Sequence, residues 1–359
     1  MLYIKKNQMK LIKHTTVILI LGITFSYTSC KKIAENIPAK QVVLTNVTTF
    51  IGVSGSIGTK DGTGASASFF FPRGLAIDAA DNIYVADFNN YKIRKITSAG
   101  VVTTLAGSGT TAGTGSGNVD GNGTAAMFSG VTDVAVYGAG NVFVADGGNY
   151  KIRKITPSGE VTTFAGGTVG TNDGIGVAAQ FTAIRAIAFD ASGNLFITDN
   201  DRIRKITPTA QVTTFATGLD VSNGLAIDKQ GNLILGIYNK LYKVTATGVV
   251  SVFAGSTRGY ANGTLATALF KSIEDVAIDA AGNLYISEAF DCHRIRKITP
   301  AGEVSTLTGS TASTNGVYGS TNGLLAVALY NYPKGLAFDS KGNLFVADSY
   351  NHVIRKIGE

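Results

Sequence analysis

Short apolar runs alternating with polar positions, each closed by Gly, Asn or Asp, set the rhythm of this chain. In the first clear copy the runs fall at residues 75–78, 83–86, 92–97 and 101–106. Period-two alternation between turn residues predicts four short strands joined by tight connections. The same pattern returns from Asp133, Ala186, Gly224 and Asp275, and a shortened copy runs from Gly335 to Ile357. Six copies of one four-stranded unit predict a repeat architecture whose size follows the repeat number, rather than two unrelated domains. No stretch has the length and period of a long helix.

Two anomalies at the ends of the array predict how it closes. The sixth copy stops at Glu359 without its last strand, while Val47-Thr48-Thr49-Phe50-Ile51-Gly52 near the start matches Val102-Thr103-Thr104-Leu105-Ala106-Gly107. A strand from the N-terminal side completing the last unit explains both, and a closed ring removes the exposed sheet edges that promote aggregation. Each copy keeps an alanine in its first strand (Ala76, Ala135, Ala188, Ala226, Ala277, Ala337), as a gap narrowing toward an axis requires. Each also ends its first turn in asparagine (Asn82, Asn141, Asn194, Asn232, Asn283, Asn343), preceded by Gly or, once, Asp81. Both preceding types tolerate positive φ, which two-residue hairpins need. The fold class is therefore all-β: a six-bladed β-propeller of four-stranded antiparallel blades, over residues 47–359.

Composition sharpens this picture at the N-terminus. The formal charge is +7, but residues 1–29 hold Lys5, Lys6, Lys10 and Lys13 and no acid, which leaves +3 for the rest. So small an excess does not point to nucleic acid. The lysines precede an apolar run at 16–25, too short to span a membrane comfortably, so residues 1–29 read as an export signal. Tyr27-Thr28-Ser29-Cys30 is similar to a bacterial lipobox, which implies that Cys30 is lipidated and becomes the mature N-terminus; Tyr27 stands where a Leu-like residue is usual, so ordinary cleavage is the alternative. Residues 30–46 then form a tether reaching at most roughly 50 Å. Only Cys292 remains, and one cysteine makes no internal disulfide.

The repeated polar residues read as architecture. An acid ends the second strand of five units (Asp87, Asp146, Asp199, Glu288, Asp348), and an arginine follows in the same five (Arg94, Arg153, Arg204, Arg296, Arg355). The fourth unit has Ile237 and Tyr242 instead. Losing both charges together is expected of pairs, because one buried charge left alone is costly. The linkers carry Asp61-Gly62, Asp120-Gly121 and Asp173-Gly174, with Asn262-Gly263 and Asn322-Gly323 as weaker copies. No acid follows at the spacing of an EF-hand, so these read as turns rather than calcium loops. Downstream sit Phe69, Phe128, Phe181, Phe270 and Tyr330, read as plugs between blades rather than sugar platforms. His293 and His352 occupy the slot of Tyr91 and Tyr150, which favours packing over catalysis, and no nucleophilic triad can be assembled from the scattered serines.

The units resemble NHL repeats, with Asn351-His352-Val353 in the last copy and the linker pattern DGTGASASFFFPRG at 61–74. The resemblance implies the six-bladed fold but not one function, since such propellers include enzymes, RNA binders and interaction modules. In a four-stranded meander the long, varied linkers share a face with the connections between second and third strands, and variable loops on a rigid frame are where binding resides. Immediately before each first strand stand Arg73, Thr132, Arg185, Asn223, Glu274 and Lys334, which we expect at the axial mouth of that face. The expected role is a non-catalytic binding module at the bacterial cell envelope, contacting protein, glycan or a small polar ligand. No cofactor, no nucleic acid and no membrane contact beyond a lipid anchor are expected, and the protein is expected to be monomeric. The alternative is a metal-dependent hydrolase or lyase of the gluconolactonase-like propeller type, with a divalent cation at the mouth near Glu274, Asn223, Asp133 and Asp275. Zinc-dependent propeller lyases need several histidines, which this chain lacks.

Overall fold

A computed structural model describes residues 43–312 and 316–359. The signal, Cys30 and most of the expected tether lie outside the described residues. No helix among the described residues is long and apolar enough to cross a membrane. Ala39–Glu359 forms one compact unit.

That unit is a six-bladed β-propeller. The first blade is the antiparallel meander Pro72–Ile77, Ile83–Asp87, Lys92–Ile96 and Val101–Ala106. The innermost strands of the six blades are Pro72–Ile77, Val131–Tyr137, Ile184–Phe189, Gly224–Ile227, Ile273–Ile278 and Pro333–Phe338. Each touches the next, and the sixth touches the first, so the ring is closed. Closure comes as the sequence requires: Asn46–Ile51 pairs antiparallel with Val353–Gly358, with Val47 opposite Ile357 and Thr49 opposite Arg355.

One difference from the four-stranded expectation has a clear cause. Five blades carry a fifth, two-residue strand, such as Gly62–Thr63 on Val101 and Val102, because the long linkers run back along the outer edge and cover it. Only the fourth blade, Gly224–Ile227 to Val250–Ala254, keeps four strands, and its outer edge stays unpaired among the described residues.

The cores lie between blades rather than within them. Phe143 and Ala145 of the second blade pack with Ile187, Leu195 and Ile197 of the third, and Phe181 from the linker fills the gap. Phe69, Phe128, Phe181, Phe270 and Tyr330 are all fully buried, which supports the plug reading and removes them as sugar platforms. The first turns follow the expected chemistry: Asp81, Gly140, Gly193, Gly231, Gly282 and Gly342, each just before the turn asparagine, have positive φ. An aspartate four residues earlier locks the turn in five blades. Asp78, for example, accepts from the Ala80 and Asn82 backbone N–H groups and from the Asn82 amide.

The acid–arginine pairs are buried, and each is part of a larger knot. Arg94 donates to Asp87 at 2.8 Å and also to Asp61 at 2.7 Å, and its guanidinium lies 5.2 Å from the Phe69 ring centroid. Arg153 binds Asp146 at 2.9 Å and Asp120, while Arg204 binds Asp199 and Asp173. In the fifth and sixth blades the linker acid is replaced by Asn262 and Asn322, which accept from Arg296 and Arg355. The linker Asp/Asn-Gly pairs are thus more than turns: their side chains tie each linker to the buried arginine of its blade. In the fourth blade the acid, arginine, linker acid and fifth strand are all missing together.

Candidate functional site

Hydrogen bonds between the linker end and the connection after the second strand, in the first, second, fifth and sixth blades, fix which face the linkers share. Asn89 N–H donates to Phe70 O, Gly147 N–H to Gly130 O, Ala289 N–H to Ser272 O and Tyr350 N–H to Asn331 O. The starts of the innermost strands are therefore carried to the axis on the linker face; Arg73, Thr132, Arg185, Glu274 and Lys334 are the second residues of their strands rather than the residues before them, and only Asn223 precedes its strand. All six expected there, Arg73, Thr132, Arg185, Asn223, Glu274 and Lys334, line one cavity of about 230 Å³. Asp133, Asp275 and Phe290 complete its polar and aromatic wall, with Gly74 and Gly335 among the inner strands.

Glycine is required where the inner strands approach. A Cβ on Gly74 would collide with the Asp133 carboxylate, and one on Gly335 would collide with the Arg73 carbonyl. The axial position of the first blade is thereby kept free of a side chain, which leaves room for the Asp133 carboxylate, and that of the sixth lets its backbone pass close to the first.

The groups are tuned by burial and by one another. Lys334 Nζ donates to Glu274 Oε2 at 2.6 Å, and Arg185 Nη1 donates to Asn223 Oδ1 at 3.0 Å. Glu274 is only 6% exposed, and its second oxygen, Oε1, has no hydrogen-bond partner. Arg73 stacks 3.3 Å from the Phe88 ring centroid, its Nε is also without a partner, and burial lowers it to about 10. Burial lowers Lys334 too, against the pull of Glu274. Deeper in the pocket, Asp133 accepts from the backbone N–H groups of Val134 and Ile187, and Asp275 accepts from those of Val276 and Leu336. Each acid thus bridges its own inner strand to that of the next blade. Burial raises Asp133 to about 7; burial and the nearby Asp133 push Asp275 well above the usual carboxylate range.

This donor set does not suit a divalent cation. Three cationic side chains line the same cavity, Asn223 and one oxygen of Glu274 are committed to Arg185 and Lys334, and both aspartates already hold backbone N–H groups. Among the described residues, no three His, Cys, Asp or Glu side chains are grouped to hold a metal. The histidines stand aside from the pocket. His293 and His352 sit at φ 51° and 59°, matching Tyr91, Tyr150 and Asn200. Each accepts through Nδ1 from a neighbouring linker, at Tyr332 N–H and Phe71 N–H. Burial lowers His293 to about 4.

One feature of the rim is absent from the expected site residues. Aromatic side chains occupy the connections after the second strand in the fourth, fifth, sixth and first blades: Tyr238, Phe290, Tyr350 and Phe88. Tyr332 and Phe71 from the linkers join them, with Phe290 to Tyr332 at 5.2 Å, Tyr332 to Tyr350 at 4.1 Å and Tyr350 to Phe71 at 4.6 Å. The second and third blades have Gly147, Gly148 and Asn200 instead. The visible signal was this contrast between copies in an otherwise repeated segment.

Fold and site together define a six-bladed β-propeller with a charged axial pocket on its linker face. The NHL repeat family matches residues 69–96 and 330–357, in the first and sixth blades, and the chain carries NHL repeats. Protein SUPPRESSOR OF QUENCHING 1, chloroplastic, from Arabidopsis thaliana is 27% identical over 320 residues, which cover 86% of this chain. The matched region spans only 27% of that relative's length. An auxiliary nutrient binding protein from Bacteroides thetaiotaomicron has a similar structure, with a TM-score of 0.68 at 17% identity over 88% of this chain and 76% of its own. A gluconolactonase from Xanthomonas campestris gives a TM-score of 0.58 at 12% identity, over 89% of this chain and 91% of its own. At these identities the structural likeness is one of fold.

Proposed function

We propose that the protein is a non-catalytic binding module of the bacterial cell envelope that takes up a small polar ligand in the axial pocket of its linker face. The observation that carries this reading is the convergence of six non-repeated polar residues on one cavity, on the face that also bears the variable linkers. Repeated residues build the frame, and the residues that differ from blade to blade meet at a single place. A fold shared with an auxiliary nutrient binding protein agrees with this reading, and a fold shared with a gluconolactonase keeps turnover as the outcome to test against it. The envelope assignment rests on the export signal and Cys30; acyl chains on the mature N-terminus in mass spectrometry are the expected result, and their absence overturns lipidation.

A thermal-shift panel of sugars, peptides, lactones and divalent ions tests the site. The expected result is a stabilising probe whose effect is lost in Arg73→Ala and Arg185→Ala. An undiminished shift in both variants moves the site elsewhere, and conversion of the probe to product makes the protein an enzyme.

A further inference from the structure

We propose that the pocket and its aromatic rim recognise an acidic saccharide, with a uronate-type residue seated in the cavity and the adjoining sugar rings stacked on the arc of Phe290, Tyr332 and Tyr350. This rests on the binding reading above and names its ligand class.

Three observations converge on it. The first is charge: Arg73, Arg185 and Lys334 face the cavity, and only Lys334 is matched there by a carboxylate. Arg185 is exposed and bound only to a neutral amide, so its planar fork is available for a carboxylate, the partner that its geometry fits best. The second is the unpartnered Glu274 Oε1, more than nine-tenths buried and on the wall of the cavity. A buried acceptor of this kind calls for a donor from outside, and a sugar hydroxyl supplies one beside the ring carboxylate. Sulfate or chloride has no proton for it. The third is the asymmetric rim. Phe290 and Tyr350 are 48% and 45% exposed, and the rings in contact, Phe290 edge-on to Tyr332 and Tyr332 stacked on Tyr350, run along one side only. Flat apolar faces next to directional polar groups suit ligands with an apolar ring face and hydroxyl edges.

Size narrows the choice further. At about 230 Å³ the cavity falls below the roughly 300 Å³ at which pockets for drug-sized ligands begin. It suits one sugar residue, and longer chains must continue over the rim, where the aromatic arc lies.

The test is calorimetric titration of the full mature chain with four probes: a galacturonate trisaccharide, galacturonate monomer, the neutral galactose trisaccharide of the same linkage, and an acidic hexapeptide. The expected result is that the acidic trisaccharide binds at least tenfold more tightly than the neutral one. Arg185→Gln should remove most of that preference, and Phe290→Ala should weaken the trisaccharide at least fivefold while changing the monomer less than twofold. Both substituted side chains are exposed, so folding is preserved, and the unchanged melting temperature checks it. Equal affinity for acidic and neutral saccharides overturns the proposal, as does a trisaccharide affinity that ignores Phe290→Ala. Binding of the peptide alone, lost in Arg185→Gln, overturns the saccharide assignment but leaves the pocket as a binding site. No heat with any probe here, together with an undiminished shift in the variants of the broader panel, overturns both readings.

Discussion

Replacing Asp146 and Asp120 separately by asparagine asks what each arm of a blade's ion knot contributes. Both acids accept from Arg153, whose side chain is fully buried. Asp146 is also fully buried and accepts from Ser129 N–H at 2.7 Å and the Asn149 amide at 2.9 Å, while the Asp120 side chain is 46% exposed. Burial lifts the Asp146 carboxyl above its usual range even beside Arg153, so the pair is tolerated rather than a source of large net stability. Breaking it is another matter. Asp146→Asn leaves a buried guanidinium short of its counter-charge, which costs about 3–5 kcal/mol. With an unfolding entropy of about 0.65 kcal/mol/K for a body of this length, about 4 kcal/mol corresponds to about 6 °C in melting temperature. Asp120→Asn reproduces what Asn262 and Asn322 already do for Arg296 and Arg355, and loses mainly an exposed bond from Thr163 N–H. It should cost about 1 kcal/mol or less. Differential scanning calorimetry on both variants, with guanidinium midpoints as a second reading, measures the contrast. An equal or larger loss from Asp120→Asn, or no loss from Asp146→Asn, would refute the reasoning.

Three further outcomes follow from the same contacts. His293 is held neutral in the fold at about 4 against an ordinary 6.5, so the unfolded chain takes up its proton first on acidification. Stability is therefore present above pH 6.5 and lost as pH falls toward 4, by up to about 3 kcal/mol; His293→Asn, which copies Asn200 in the same backbone slot, should flatten this slope in pH-dependent melts. The fourth blade lacks the ion knot, the fifth strand and the plug, so amides of Lys240–Val244 and Val250–Ala254 should exchange faster than their counterparts in the second blade by mass spectrometry. Cys292 is fully buried and its thiol is pushed up to about 12, so it should resist a thiol reagent at pH 8 until denaturant is added.

The frame was legible because its requirements repeat. Asn82 and its five counterparts, the alanines of the first strands and the misplaced strand at Val47 all encode local geometry that recurs in every blade, and the ring follows from them. The placement of Arg73, Thr132, Arg185, Asn223, Glu274 and Lys334 was legible for the same reason, since topology alone sends the start of each inner strand to the axis. What escaped was pairing between segments far apart in sequence. The linker acids read as turn residues, because nothing local shows that Asp61 reaches Arg94, 33 residues later, at 2.7 Å. The two-residue fifth strands are too short to carry a period. The aromatic arc was hidden because Phe290, Tyr332 and Tyr350 come from separate connections and become one surface only when the ring closes.

The most direct test of the central claim is a crystal structure of the mature protein with the tightest-binding probe from the screen. The account predicts an intact ligand in the axial pocket, with a polar group on Arg185 and a donor on Glu274 Oε1. A ligand seated on the opposite face among the short turns, or one found cleaved in the pocket, would contradict it.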